Sequence, residues 1–344
     1  MNNIWSLVPG ATEILYALGL GDRITAVSHE CDFPPGARRK PRAIRCRIPA
    51  DASSRHIDRL VREAMHQRRP LYELDHRLLA TSRPDLIVVQ DTCHVCAVDS
   101  SLAAEAIRAV RPPPRLIGLH PHTLADMLDD IRRLGSAVGC ERRAAELADS
   151  LTGRFAALQQ RAAQWATRPT VFCLEWLEPL MATGHWVPEM VERAGGRELL
   201  GRAGASSRYV TRQQILKADP DILVVMPCGF TTGRTMRELR PVSRQPWWSR
   251  LRAVRTGRVF VVNGSALFNR AGPRLVEGTE LLVRLFHDPG RLRGAGRRGR
   301  IREVNGGAHV LGSSGRRRSI RADTNAPTEH HQAARSANAA RGLP

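Results

Sequence analysis

The chain has 344 residues, 42% of them hydrophobic and 25% charged, with a formal net charge of +20. That length exceeds what one hydrophobic core usually organises, so two lobes are expected, and the composition excludes a chain disordered along most of its length. From Arg291 to Pro344 there are 12 Arg against Glu303, Asp323 and Glu329, a net of +9, which leaves +11 interspersed with acids over 290 residues; this argues against a phosphate-binding groove on the folded part and so against specific nucleic-acid recognition.

Short apolar runs alternate with amphipathic stretches, the pattern of strands joined by helices in a mostly parallel sheet. Ile4–Val8, Ile24–Val27, Leu86–Val89 and Leu116–Leu119 are the predicted strands of a first lobe. Thr123 with Asp126 forms a capping pair for a helix running through Leu134. After Gly139, the positions Ala148, Leu151, Phe155, Leu158, Ala162 and Trp165 make one stripe of a long amphipathic helix that reaches nearly to Pro169. Val171–Leu174, Ile222–Met226 and Val259–Val262 are the predicted strands of a second lobe. Beyond Pro289 the pattern dissolves into Gly, Arg, Ser, Ala and Asn, and 290–344 reads as a disordered basic tail. The expected division is therefore 1–133, a connecting helix over 134–168, a second lobe over 169–289, and the tail.

The halves repeat one another. Arg83-Pro84-Asp85-Leu86-Ile87-Val88-Val89 matches Asp219-Pro220-Asp221-Ile222-Leu223-Val224-Val225, and each is preceded by a helix ending in a glycine turn, at Gly19-Leu20-Gly21 and at Gly195-Gly196. In each half the proline stops a helix, the aspartate fills the turn and the apolar run enters a buried sheet, which suggests duplicated α/β lobes.

The seven cysteines (Cys31, Cys46, Cys93, Cys96, Cys140, Cys173, Cys228) are odd in number and scattered, unlike a secreted disulfide framework, and a reducing compartment fits them better. Met-Asn-Asn leads straight into Ile4-Trp5-Ser6 with no basic-then-apolar signal, and no segment approaches the ~20 apolar residues of a membrane helix. As written the chain is expected to be cytoplasmic; a start lying upstream would make it periplasmic or lipid-anchored instead.

Ser6-Leu7-Val8-Pro9-Gly10-Ala11-Thr12-Glu13-Ile14, Ser28-His29-Glu30-Cys31-Asp32-Phe33-Pro34-Pro35, Gln90-Asp91-Thr92-Cys93-His94-Val95-Cys96, Pro227-Cys228-Gly229-Phe230 and Phe268-Asn269-Arg270-Ala271-Gly272-Pro273-Arg274 occur in order. Together they resemble the periplasmic-type substrate-binding proteins for vitamin B12 and iron chelates, and most nearly the cobalamin-binding branch. The resemblance covers roughly residues 4–286. It implies two Rossmann-like lobes joined by a long helix, with a ligand in the cleft at the strand ends, in keeping with the general rule for open α/β sheets.

The cleft wall is then expected in the loops after the predicted strands: His29, Glu30 and Cys31; Cys93, His94 and Cys96; Trp176; Cys228 and Phe230; Phe268, Asn269 and Arg270. Aromatic rings there would lie against a flat macrocycle while polar groups orient it. Ordinary core packing is the alternative for Trp176 and Phe268. Cys93-His94-Val95-Cys96 admits three readings: two thiols in a turn, contact with the ligand or its metal, or a redox or zinc pair. Two segments that follow strands of one lobe also predict that His29, Cys31, Cys93 and Cys96 converge.

No catalytic set is recognisable. Nothing pairs His29 or Cys31 with a base and its orienting partner, and Gly19-Leu20-Gly21 lacks a third glycine and follows a helix. The expected function is binding of cobalamin or a related corrinoid, as a capture component or as part of an ABC importer. The alternatives are an iron-siderophore or haem binder and, third, a metal- or thiol-dependent enzyme. The resemblance further implies a permease partner that docks through a surface glutamate on each lobe. Arg77 and Gln213 occupy those positions here, with Asp75 near enough to substitute for the first. A monomer is expected.

Overall fold

In the computed structural model, which describes residues 1–90, 100–108, 110–288, 301–304 and 308–311, the first strand stops where Pro9 supplies the first turn of a helix. Proline is pre-set for that position, since its missing donor is unneeded there. The N-terminal lobe runs β1 (Ile4–Ser6), α1 (Pro9–Ala17), β2 (Ile24–Val27), β3 (Ile44–Cys46), α2 (Ser54–His66), β4 (Tyr72–Leu74), α3 (His76–Ser82), β5 (Leu86–Gln90), α4 (Ser100–Ile107) and β6 (Arg115–Leu119). Its main sheet is parallel, in the order β2-β1-β5-β6. The antiparallel pair β3–β4 stands apart from that sheet and carries α2 as an arm, which the sequence pattern had not revealed.

Two helices follow, α5 (Leu124–Ala137) and α6 (Glu141–Ala162). Thr123 and Asp126 form the expected capping box. α6 ends three residues short of Trp165, whose ring instead stacks on His287 at 4.3 Å. A Cβ on Gly135 would overlap the Cβ of Ala144, so this glycine allows α5 and α6 to pack backbone to backbone.

The C-terminal lobe comprises β7 (Thr170–Leu177), β8 (Leu180–Ala182), α7 (Val187–Arg193), β9 (Arg197–Glu198), β10 (Arg208–Tyr209), α8 (Arg212–Ala218), β11 (Ile222–Val225), α9 (Thr232–Ser243), α10 (Arg252–Arg255), β12 (Val259–Val261), α11 (Gly264–Leu267) and α12 (Leu275–His287). Parallel β7, β11 and β12 form its centre, and β8 and β10 extend it antiparallel. Within the stretch expected to be disordered, β13 (Ile301–Val304) and β14 (Ala308–Leu311) pair with each other, and β14 runs parallel to β12. Asn305-Gly306-Gly307 between two apolar-containing runs is a hairpin signature that the reading by composition passed over. The rest of the tail lies outside the described residues.

Strand residues alternate between two cores. Leu86 and Val88, like Val171, Ile222 and Val224, face one shared cluster that also takes in Leu134, Leu151 and Phe155 of the connecting helices. Trp5, Ile87 and Val89 face a second cluster under α2 and α3, while Phe172, Leu223 and Val225 face a third under α8 and α9. Both sheets are thus covered on both faces, as near-continuous Val/Ile/Leu runs require.

The duplication extends beyond the matched heptapeptides to side-chain roles. Asp75 and Thr211 cap α3 and α8, Leu79 and Ile215 are buried beneath, and Arg83 and Asp219 both end their helix in the left-handed conformation. Asp85 accepts the backbone N–H of Asn3 at the start of β1, and Asp221 accepts that of Thr170 at the start of β7. The motif aspartate therefore ties each lobe's first strand to its helix stop.

Asp130 on α5 is buried beside Arg133, whose Nη1 lies 2.9 Å from Oδ1. Burial, only partly offset by Arg133, pushes its carboxyl up to about 6. A raised carboxyl pKa contributes stability that is complete below the ordinary value of 3.8 and lost as pH rises through about 6. Asp130→Asn is therefore expected to exceed the parent protein's stability at pH 7 by roughly 2–3 kcal/mol, with the gap closing by about pH 4. Thermal melts at the two pH values check this, and a pH-independent gap would contradict it.

Candidate functional site

The chain leaves β2 at the carboxyl edge of the N-terminal sheet and turns through Ser28-His29-Glu30-Cys31. The His29 ring lies tilted against Tyr72, centroids 5.6 Å apart, and its Nε2 is 3.7 Å from a Glu30 carboxylate oxygen. Its Nδ1 is buried with no hydrogen-bond partner. Burial holds the imidazole below its ordinary pKa against the opposing pull of Glu30, so it is neutral at neutral pH. Cys31 departs from expectation. It is fully buried in the shared core, with Thr12 Oγ1 donating to its sulfur at 3.1 Å and Ser28 Oγ sharing a hydrogen bond with that sulfur at 3.2 Å. Two residues on from His29, the backbone has turned this side chain inward.

The C-terminal lobe meets that loop with arginines. Arg270 places Nη1 2.5 Å from Asp32 and donates through Nη2 to the Glu30 carbonyl at 2.9 Å. Burial works against its charge, but Asp32, Glu13 and Glu30 together outweigh it and hold the pKa above the ordinary value. Arg274 grips Glu13 with two nitrogens, at 2.9 and 2.5 Å, and lies over the Phe33 ring at 4.0 Å. Arg270, expected to orient a ligand, is thus committed to a bridge between the lobes. Phe268 also departs from expectation: it is fully buried, and its carbonyl accepts from Trp186 Nε1 at 2.7 Å. Asn269 is half-buried beside it, its backbone N–H held by Gly264 at 2.9 Å.

A second group gathers at the carboxyl ends of β7 and β11. Trp176 and Phe230 meet at 5.1 Å with their planes at 52°, and Cys228 donates its backbone N–H to Glu175. Phe230 is buried under the guanidinium of Arg234, 3.8 Å from the ring centroid. Over these residues lies the arm. Arg234 donates to the carbonyls of Ala50 at 3.0 Å and Ala52 at 2.5 Å, and Trp176 Nε1 donates to that of Ser54 at 3.2 Å. Glu238 accepts from both the Ser54 backbone N–H, at 3.0 Å, and its hydroxyl, at 2.9 Å. Arg55 pairs with Glu178, and the Tyr209 hydroxyl donates to Asp58 at 2.5 Å.

The structure therefore brings His29, Glu30 and Arg270 together, and separately Trp176, Phe230 and Cys228. It buries Cys31, Phe268 and, beneath Arg234, Phe230, so none of the three is open to solvent, contrary to the expectation from sequence. Cys93, His94 and Cys96 lie outside the described residues; β5, which precedes them, runs parallel to β2 with β1 between. Among the described residues no group of three His, Cys, Asp or Glu side chains is placed to hold a metal ion, and the five described cysteines are unpaired. Ser54, Asp58, Tyr209, Arg234 and Glu238 were not anticipated. The one usable signal was Thr231, which caps α9 by accepting the backbone N–H of Arg234 and so fixes where that helix begins.

A separate cavity of about 440 Å³ lies at the edge of β6, lined by Arg115, Gly118, His120 and Arg133 among others. Its lining includes none of the site residues just described. At the surface, the caps at Asp75 and Thr211 fix the helix register and put Arg77 and Gln213 at matching positions in the first turns of α3 and α8. Asp75 is engaged as a cap, accepting from the Leu78 N–H at 2.9 Å.

The family described as periplasmic binding protein matches residues 4–266. A vitamin B12-binding protein of Photorhabdus laumondii is 26% identical over 287 residues, covering 83% of this chain and 88% of that one. The solved periplasmic vitamin B12-binding protein of Vibrio cholerae superposes with a TM-score of 0.59 at 22% identity, covering 83% and 96% of the two chains. A periplasmic haem-binding protein of Pseudomonas aeruginosa gives 0.64 at 18% identity, covering 84% and 93%. The expected cytoplasmic location is overturned by the family match, since that family is one of periplasmic binding proteins.

Proposed function

The chain belongs to the periplasmic binding protein family, and from that premise we propose that it binds cobalamin or a related corrinoid between the Trp176–Phe230 wall and the His29–Glu30 loop. It is a binding protein and not an enzyme. The observation that carries the ligand choice is the state of the arginines. Arg270 and Arg274 are both neutralised by carboxylates across the lobe boundary, so neither is free to receive an anionic siderophore. What remains on the C-terminal wall is the Trp176–Phe230 pair crossed by the Arg234 guanidinium, whose donors go to the backbone carbonyls of Ala50 and Ala52; aromatic rings with hydrogen-bond donors for carbonyl oxygens suit a large macrocycle rimmed by amides. Similarity to a vitamin B12-binding protein over most of both chains supports the same choice.

A second reading, haem, is favoured by His29. A neutral imidazole with a buried, unpartnered nitrogen is the kind of group that ligates iron, and a haem-binding protein shares the fold. Delivery to an ABC permease belongs to the same proposal. With Arg77 and Gln213 at the matched helix starts, such a permease would present acidic or neutral groups there.

Titration with cobalamin, haem and a ferric siderophore, followed by absorption and calorimetry, tests these readings. Cobalamin is expected to bind one per chain below 1 μM, about −8.2 kcal/mol, and Trp176→Ala is expected to weaken it about tenfold through lost apolar contact. No signal with cobalamin at ~100 μM would refute the corrinoid reading, and a haem complex whose Soret band shifts in His29→Ala would establish the second.

A further inference from the structure

Arg234 and Trp176 are the donors on the C-terminal wall, and the chain's own backbone occupies both. The carbonyls of Ala50 and Ala52 take the Arg234 guanidinium, and that of Ser54 takes the Trp176 indole. Ala52 and Ser54 are buried in this contact although they belong to an arm whose strands pair only with each other. We infer that residues Ala50–Ser54, backed by α2, are an internal occupant of the ligand cleft: they hold the Arg234 and Trp176 donors until a ligand bearing carbonyl or carboxylate oxygens on its rim displaces them.

The inference rests on the metal-chelate reading and adds to it the part of the ligand that Arg234 and Trp176 recognise. It also separates two kinds of residue. Arg234 and Trp176 serve arm and ligand alternately, whereas Glu238 and Tyr209 hold the arm alone. Glu238 sits at the amino end of α2, where a carboxylate is favoured both by the orphan N–H groups and by the helix dipole. Tyr209 grips Asp58 one turn further along. These two contacts set how readily residues 50–58 leave the C-terminal wall, since Ile44, Val61, Leu71, Tyr72 and Leu74 keep the rest of the arm anchored in the N-terminal core.

The full chain and the single variants Tyr209→Phe and Glu238→Ala provide the test. Without ligand, amide hydrogen exchange at 50–58 is expected to quicken about tenfold in Tyr209→Phe, the factor for losing one charge-assisted hydrogen bond, and at least as much in Glu238→Ala, which loses two, while exchange in β5 and β11 stays at the parent rate. Stopped-flow association is then measured with cobalamin and with haem, and whichever probe the parent protein binds is expected to associate about tenfold faster with the variants. Unchanged exchange at 50–58 overturns the inference. So does faster exchange with unchanged association, since ligand would then not wait on the arm. If exchange quickens but no form binds either probe, the metal-chelate reading falls while the arm contact stands, so the two failures are told apart. Tyr209→Phe removes one hydroxyl from a half-exposed ring, so it keeps the test valid even if Glu238→Ala does not fold.

Discussion

Arg274→Ala is expected to lower stability by about 3–5 kcal/mol at pH 7, the range for removing one partner of a buried ion pair. Glu13 is only 4% exposed on α1, and Arg274 is the side chain that neutralises it. Burial already raises the Glu13 pKa, with Arg274 the main opposing influence, so its loss raises the pKa further. A carboxyl with a raised pKa destabilises once pH rises above that value, and the deficit should therefore shrink in acid. Melting temperature is expected to fall by roughly 10 °C at neutral pH, at ~2–4 °C per kcal/mol, and by less near pH 4. Combining Glu13→Leu with Arg274→Met should recover most of the loss, because two apolar groups of similar size leave no stranded charge. A deficit that is flat with pH, or a double variant no better than the single, would mean that the pair matters for packing alone.

Gly10→Ala should be nearly as costly despite adding one methyl. The second residue of α1 faces the carbonyl of Ala271, and a Cβ there would overlap that oxygen. The obstacle is backbone on both sides, α1 of one lobe and the segment before α12 of the other, so no side chain can swing away. A cost of about 3 kcal/mol is expected, at the upper end for overpacking. Because Arg270 and Arg274 flank the same approach, their bridges to Asp32 and Glu13 should loosen together. Non-additivity of Gly10→Ala with Arg274→Ala, measured by chemical denaturation, would show that coupling, and simple addition would deny it.

The parts of this molecule that were legible in sequence are those whose cause is local. The Arg-Pro-Asp and Asp-Pro-Asp heptads announced β5 and β11 because proline, turn aspartate and apolar run act on neighbouring residues. The Thr123–Asp126 cap and the stripe through Phe155 were readable for the same reason. Cys31 and Phe268 were misplaced because lying after a strand tells where the backbone goes and not which way a side chain turns. Glu13 and Arg274 both stood within recognised motifs, yet their pairing needs two segments 261 residues apart, and no spacing rule connects them. The arm was missed altogether. Its strands are three residues each, and its contacts with Arg234, Trp176 and Glu238 are made to a distant lobe.

The shared core reaches from Ile4 through Leu151 to Phe286. Arg143 near the start of α6 bonds the Leu18 carbonyl in one lobe, and Trp165 just past its end stacks on His287 in the other. Swinging the lobes apart would expose that continuous apolar layer to water, so wide separation of the two halves is costly. A partner that tells cargo-bearing from vacant copies would then read the relief where residues 50–58 and the His29–Glu30 loop meet the C-terminal lobe.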